Sequence, residues 1–450
     1  MSGGVSHATA RRSPGLLVWI LQTGEPLHVD GGSPRPMRAM NTADALVAAG
    51  HRVVLWSSAF YHQEKRHRAR RAERFHLSPQ LEIRLVPSPG YRRNIGPGRL
   101  WDHALLGFNL RRLLRQEPAP PDVGFVGYPP IETAAVLTRW LAARGAPCLL
   151  DLKDQWPSIF LDAAPRAARP VGRLVLAPYF HLAKRAMTEA TGLAGIAEGF
   201  LRWGLEVAGR PRRETDIVVP LTSPDEPVPE PERAAARRWW DGVGVKDDGT
   251  LRICFVGSHS SGFDFQPIRD AAARCAESGP ACQFVICGDG ECSAEWREAA
   301  RSLANVVFPG WIDRPRIAAL AERSNAALAP YRGRLDFSLS VPNKVIDSLA
   351  FGLPVLSPLP GEVAHLIAAH NVGLRYGPEA GRTLHECVVA LAGDADAREG
   401  MARSAGALYE RSFSFERVYG GLVAHLERLA RRARAPSPPP APPPDSAGPA

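Results

Sequence analysis

The chain reads as short apolar runs alternating with longer amphipathic stretches. Leu16–Leu21 is almost wholly apolar, the pattern of a central strand in a parallel sheet covered on both faces. A Gly- and Pro-rich loop follows from Gly24 to Pro36. Met37, Met40, Ala43 and Leu46 then recur at helical spacing until Gly50 stops the helix. Arg52–Trp56 predicts the next strand. The rhythm continues with Leu81–Pro87 as strand, Leu100–Gln116 as helix, Val123–Gly127 as strand, Ile131–Arg144 as helix and Pro147–Leu152 as strand. Strands separated by helices imply βαβ crossovers, so the fold class is α/β with parallel sheets.

Residues 221–249 break this rhythm. TSPDEPVPEPE is acidic and Pro-rich, which predicts a linker or exposed arm. From Leu251 the alternation restarts, with LRICFVG, QFVICGDG, NVVFPGW and NAALAPY as strands and the loops after them. The residues from Ala435 onward (APSPPPAPPPDSAGPA) are low in complexity and unable to pack. The expected organisation is a tail over 1–15, a Rossmann-like domain over 16–220, a linker over 221–250, a second Rossmann-like domain over 251–415, a helix over 416–434 and a Pro-rich tail over 435–450. Two doubly wound halves place a ligand in the cleft between them, at the carboxyl ends of the strands.

Composition sharpens this picture in three ways. The 450 residues are 45% apolar and 22% charged, which excludes wholesale disorder. The net charge of +9 is uneven: residues 1–220 hold 30 basic and 18 acidic side chains, residues 221–450 hold 25 and 28. An acidic partner for the first half and a plain Arg-rich bias are both open readings, since only 5 of the 55 basic residues are Lys. The basic run Lys65–Arg74 lacks interleaved aromatics and reads as a solvated helix, so no nucleic-acid partner is expected. The seven cysteines include no C-x-x-C pair and no zinc-ligand spacing. Arg11-Arg12 ahead of a short apolar stretch superficially resembles an export signal, but no cleavage pattern follows and no run is long enough to span a bilayer. The expected location is cytoplasmic.

The most informative segment is DFSLSVPNKVIDSLAFGLPV, residues 336–355. Pro342 suits the first helical position, Ile346, Leu349 and Ala350 give an apolar face, and Gly352 ends the helix before the strand Pro354–Ser357. The open N–H groups of the first turn, joined by Asn343 and Lys344, make an anion site. Asp347, about one turn on, can accept hydrogen bonds from vicinal sugar hydroxyls. Phosphate plus polyol is the signature of a nucleotide. An ordinary capped helix with a solvated Lys–Asp face is the simpler reading of the segment in isolation.

SVPNKVIDSLAFGLPVL resembles the donor-site segment of the GT-B glycosyltransferases, in particular retaining family 4 and its O-antigen and capsule-type subgroup. In that family an acidic residue five positions before the Gly of A-x-G-x-P-V binds ribose, and Asp347 holds that place. A second family Glu, eight residues earlier, contacts the donor sugar; here the position is Leu339. Gly257-Ser258-His259 and Gly288-Asp289-Gly290 resemble the family's loops after the first two strands of the donor half, and Pro309-Gly310-Trp311 the loop that cradles the base. Asp30-Gly31-Gly32 and Gly50-His51-Arg52-Val53 resemble its N-terminal glycine loop and helix close. Arg35 and Arg38 flank the helix start and are candidates for an anion. Asp151–Pro157 (DLKDQWP) resembles the subgroup's D-x-R-D-x-W-P, with Lys153 where many members carry His.

The resemblance implies a GT-B enzyme with two Rossmann-like domains, the first binding the acceptor and the second a nucleotide-diphosphate sugar. The helix over 416–434 is then the one that packs back on the first domain. Donor-binding residues would be Gly257, Ser258, Gly288, Gly290, Trp311, Asn343, Lys344 and Asp347. Catalysis would fall to Lys153, Asp154 and Lys344, with Gly31, Gly32, Arg35 and Arg38 as an acceptor or phosphate loop. It implies retention, with neither metal nor other cofactor. The expected acceptor is a glycan or polyprenyl-linked chain in cell-surface polysaccharide synthesis. Arg166, Arg169, Arg173, Lys184 and Arg185, interspersed with Val171, Leu174, Val175, Leu176, Tyr179 and Phe180, either lie on an anionic bilayer or form a core helix with a charged rim. A nucleotide-sugar 2-epimerase of the same fold and a non-catalytic sugar-nucleotide-binding protein are the alternatives. Asp394-Ala-Asp396 has the shape of a metal-binding D-x-D but stands where Asp caps a helix. GDGECS lacks the third Gly of a dinucleotide fingerprint.

Overall fold

The computed structural model describes residues 15–31, 36–94, 96–162, 165–222, 227–333 and 335–434. The first half supplies strands β1 (Leu17–Leu21), β2 (Arg52–Ser58), β3 (Phe60–Tyr61), β4 (Arg66–His67), β5 (Glu73–Ser78), β6 (Leu81–Val86), β7 (Val123–Tyr128), β8 (Cys148–Leu152), β9 (Gly192–Gly195) and β10 (Ile217–Val218). Eight of them form one sheet in the order β10-β9-β8-β7-β1-β2-β6-β5, parallel except at the β5–β6 edge. β3 and β4 pair separately as a short antiparallel hairpin. The second half supplies β11 (Leu251–Val256), β12 (Cys282–Cys287), β13 (Val306–Gly310), β14 (Ala326–Leu328), β15 (Val355–Ser357) and β16 (Gly373–Arg375), all parallel in the order β13-β12-β11-β14-β15-β16.

Both sheets reverse direction beside their first strand. β1 lies between β7 and β2, and β11 lies between β14 and β12. A crevice opens at such a point because the crossovers on its two sides leave in opposite directions. Helices cover both faces of each sheet, so the central strands are buried along their length, as their apolar sequences require.

Three expectations are corrected. The basic run Lys65–Arg74 is not a helix: β4 and the start of β5 fall within it, and Arg68 is buried against the carboxylate of Asp30, at 2.7 and 2.6 Å. The segment 221–250 is not linker throughout. Glu230–Gly242 is a helix whose Trp240 is fully buried against the second domain, its indole N–H donating to the Arg316 carbonyl at 2.9 Å. Arg38 is no open anion site. Its Nε and Nη2 each donate to Asp151 at 2.7 Å, its Nη1 reaches the Pro220 carbonyl at 3.1 Å, and both side chains are buried.

The last helix, Phe415–Arg434, packs Val418, Leu422, Leu426 and Leu429 into the core of the first domain, which ties the chain's end back across the cleft. Asp394 is the cap expected from its position, accepting from the Ala397 amide at 2.8 Å. No helix among the described residues is long and apolar enough to cross a membrane.

The Arg38–Asp151 pair joins the start of helix Arg38–Ala48 to β8. Removing one partner strands the other charge in the core, which costs about 3–5 kcal/mol, whereas a volume-matched apolar pair avoids that penalty. Arg38→Ala is therefore expected to lower unfolding free energy by about this amount in urea titration, with the Arg38→Met/Asp151→Leu double variant recovering most of the loss.

Candidate functional site

The second domain brings the candidate donor residues together at its switch point. Gly257 ends β11, Gly288 and Gly290 follow β12, and their backbones touch: a Cβ on Gly288 would stand 1.8 Å from the Gly257 carbonyl oxygen, and one on Gly290 2.5 Å from that of His259. Gly288 also adopts a φ of +129°, which favours glycine. Ser258 lies between Gly257 and His259, whose carbonyl accepts from the Cys292 amide. The buried imidazole of His259 packs on Trp296 (centroids 4.6 Å) and bonds Ser293 through Nδ1, pinning the two loops to each other.

Lys344 enters this junction from the opposite side. Helix Asn343–Ala350 starts after Pro342 and directs Lys344 toward the end of β11, where its Nζ donates to the Val256 carbonyl at 2.6 Å. The ammonium lies over the rings of Phe255 (5.0 Å) and Phe263 (5.2 Å), whose π faces hold a cation. A Cβ on Gly257 would meet Nζ at 1.7 Å, so the absence of a side chain at 257 is what admits the lysine. Asn343 is exposed, and Asp347, three residues beyond Lys344, is half-buried on the same side of the helix. Trp311, just past β13, exposes 71% of its surface, so its ring is not packed in the core.

The first domain contributes a cleft of about 640 Å³, reaching from the loop after β1 to Asn343 of the second domain. Lys153 and Asp154 line it. The Lys153 ammonium pairs with Glu25 at 2.7 Å, and Glu25 also accepts from the Gln22 side chain and the Ala39 amide. Asp154 accepts from the Gln155 amide at 2.8 Å. Gly31 is exposed, and a Cβ there would meet nothing within 4 Å. Gly32 and Arg35 lie outside the described residues. Leu339, at the position of the missing family Glu, packs instead against the first domain, joining Ile196, Ala197, Phe200 and Leu221 in an apolar contact between the two halves.

Several residues of this cleft and of the Lys344 junction escape a reading by sequence. Glu25 is a single acid in a loop, and only the fold pairs it with Lys153. Tyr331 is buried beside the first turn of the Lys344 helix, where burial raises its hydroxyl pKa and the Lys344 amide opposes the shift. His62, Tyr91, Arg99 and His103 line the first-domain end of the cleft from three separate segments.

Residues 250–394 match the family model described as Glycosyl transferases group 1. Among solved structures, sucrose-phosphate synthase from Thermosynechococcus elongatus superposes with a TM-score of 0.67 at 14% identity, over 93% of this chain and 100% of that one. WaaG, a glycosyltransferase involved in lipopolysaccharide biosynthesis, gives 0.59 at 16% identity over 91% and 99%. Anabaena HepE in complex with UDP gives 0.59 at 12% identity over 92% and 100%. No curated protein sequence matches the chain.

The two glycine positions separate by what a methyl would strike. At Gly257 it meets the far end of a flexible lysine, at Gly288 it meets backbone. Gly257→Ala is expected to stay within about 1 kcal/mol of the parent in urea titration, while Gly288→Ala loses about 2 kcal/mol or more. Equal losses would contradict the packing described for this junction. The two Rossmann-like domains share the GT-B fold of these solved glycosyltransferase structures, and residues 250–394 match the Glycosyl transferases group 1 model.

Proposed function

We propose that the chain transfers a sugar, with retention, from a nucleotide-diphosphate donor to a glycan or polyprenyl-linked acceptor at the cytoplasmic face of a membrane. The observation that carries this reading is the Lys344 cation at the end of β11, between two glycine loops and at the first turn of a helix. Diphosphate oxygens suit the amides and the ammonium, the ribose suits Asp347, and the base suits the open face of Trp311. In this scheme the leaving phosphate takes the acceptor proton and no protein nucleophile is required. The protein's main contribution is positive charge placed in advance where the diphosphate gains negative charge. Lys153 and Asp154 face the acceptor side, with Glu25 fixing the lysine.

Lys344→Ala is expected to lower turnover about 100- to 1000-fold while the circular dichroism spectrum and melting temperature stay near the parent values. Near-parent activity would remove Lys344 from the mechanism. The base is to be found by a thermal-shift screen over UDP-, GDP-, ADP- and TDP-sugars, and incubation with the donor alone separates transfer from epimerisation. The second reading, a non-catalytic sugar-nucleotide-binding protein, is favoured by Leu339, which is engaged in the contact between the halves. It requires donor binding with neither transfer nor hydrolysis.

A membrane-bound acceptor is supported by the surface of helix Arg169–Val175. Val171, Leu174 and Val175 expose 66%, 77% and 68% of their area beside exposed Arg166, Arg169 and Arg173, which is unlike a core helix. Leu176, Tyr179 and Phe180 are half-buried, so the apolar face narrows toward the next helix, where Lys184 is exposed and Arg185 half-buried beside Glu189. Helix Pro97–Leu114 also exposes Trp101 and Phe108, with exposed Arg111, Arg112 and Arg115 toward and just past its end. An apolar surface with an arginine rim suits an anionic bilayer. The chain is expected to float with anionic vesicles at low salt and to lose that binding in a Val171→Ser/Leu174→Ser/Val175→Ser variant. Absence of flotation at low salt would overturn the membrane claim.

A further inference from the structure

We infer that the first-domain end of the cleft contains a phosphate subsite, formed by Lys65, Arg99, His62 and Tyr91, for an acceptor that carries a phosphate or diphosphate group. The inference rests on the transferase reading for the word acceptor; the subsite itself rests on the geometry below.

The β3–β4 hairpin turns through residues 62–65, and Lys65 holds a left-handed φ of +54°, a conformation that favours glycine. In that conformation its Nζ donates to His62 Nδ1 at 3.0 Å and to Asn94 Oδ1 at 2.6 Å. The Tyr91 hydroxyl also reaches His62 Nδ1, at 2.5 Å. With Nδ1 accepting from Lys65, the imidazole is neutral and carries its proton on Nε2, as a further donor. Arg99 comes from the first turn of helix Pro97–Leu114. Its guanidinium lies over Trp156 (4.6 Å) and Tyr91 (5.7 Å), and its Nε is buried without a hydrogen-bond partner. Neither Lys65 nor Arg99 forms an ion pair among the described residues.

These cations repel each other. Burial, then Lys65 and Arg99, hold the His62 pKa down to about 4. Burial, then Arg99 and His62, hold that of His103, on the next turn of the Arg99 helix, down to about 3. Burial and Arg99 lower that of Lys65. Asp102 lines the same end, its carboxylate accepting from the Gly90 amide at 2.6 Å; burial raises its pKa while Gly90 and Arg99 oppose the rise, so this carboxylate offsets only part of the charge of two cations. Arg99, His62, Tyr91 and His103 therefore line the cleft with Lys65 bonded to His62 beside them, and this end is rich in hydrogen-bond donors. A phosphate supplies the missing negative charge and the acceptor oxygens. Of the five lysines in this Arg-biased chain, Lys153 lines the cleft and Lys65 bonds His62, which lines it.

The test uses the full chain with 13C-labelled histidine, the His62 resonance being assigned from His62→Asn. Saturating inorganic pyrophosphate is expected to raise the His62 titration midpoint by about one unit or more, because a bound anion favours the protonated ring. A Lys65→Met/Arg99→Gln variant is expected to lose at least about tenfold in pyrophosphate affinity at this site, read from the same resonance, with unchanged melting temperature. A midpoint unmoved by pyrophosphate, or a variant that responds as the parent does, overturns the subsite. Geranyl diphosphate binding more tightly than pyrophosphate supports the subsite and assigns the phosphate to a lipid carrier; equal binding of the two, with glucose 6-phosphate also bound, supports it and assigns a water-soluble ester. None of these readouts needs turnover. A responsive His62 in a chain that transfers no sugar would sink the transferase reading and leave the subsite standing.

Discussion

The second half of the molecule depends on one close approach of backbone, the carbonyl of Gly257 against Gly288, and the Lys344 ammonium lies where a side chain at 257 would be. β11 and β12 end side by side, so any Cβ at this junction strikes either backbone or the lysine. The lysine is held by the Val256 carbonyl and by two phenylalanine rings, which fixes a positive charge at the carboxyl end of the sheet. From that point the rest follows in sequence. The helix beginning at Asn343 brings Lys344 to this junction from its first turn, and Asp347 comes next on the same side. A site of this kind recognises an anion before it recognises any particular sugar.

The first half uses its charges differently. Arg38–Asp151, Arg68–Asp30 and Lys153–Glu25 are paired within 2.7 Å, and each joins a loop or helix start to the strand ends that face the cleft. Buried pairs of this sort add little net stability but fix geometry, because either partner alone is costly. The two halves meet through Leu339 and its apolar neighbours on the first domain. That contact puts the segment before the Lys344 helix against the first domain, and an apolar side chain at 339 is what such a contact requires.

Much of the fold was legible because parallel strands have a strong local signature. Leu16–Leu21, Val123–Gly127, CQFVIC and the segment around Pro342 all lie within a residue or two of their observed limits. The donor loops were legible as glycines after strands, since backbone contact excludes other residues. What could not be read is what depends on distant partners. A basic run such as Lys65–Arg74 looks solvated until Asp30 is brought to Arg68. Arg38 looks available until Asp151 arrives from a strand 113 positions away. Trp240 shares a segment with prolines and acids, and only its burial shows that the segment folds. His62, Tyr91 and Arg99 carry no motif, because a hairpin, a loop and a helix end supply one residue each.

The central claim is that the nucleotide sugar lies on the second domain at the ends of β11 and β12. Amide hydrogen exchange tests it most directly, comparing the free chain with one saturated by the nucleotide sugar that raises its melting temperature most. The account predicts slowed exchange concentrated at residues 257–260, 288–291 and 343–347. Protection confined to the first domain, or binding that leaves these three segments unchanged, would contradict it.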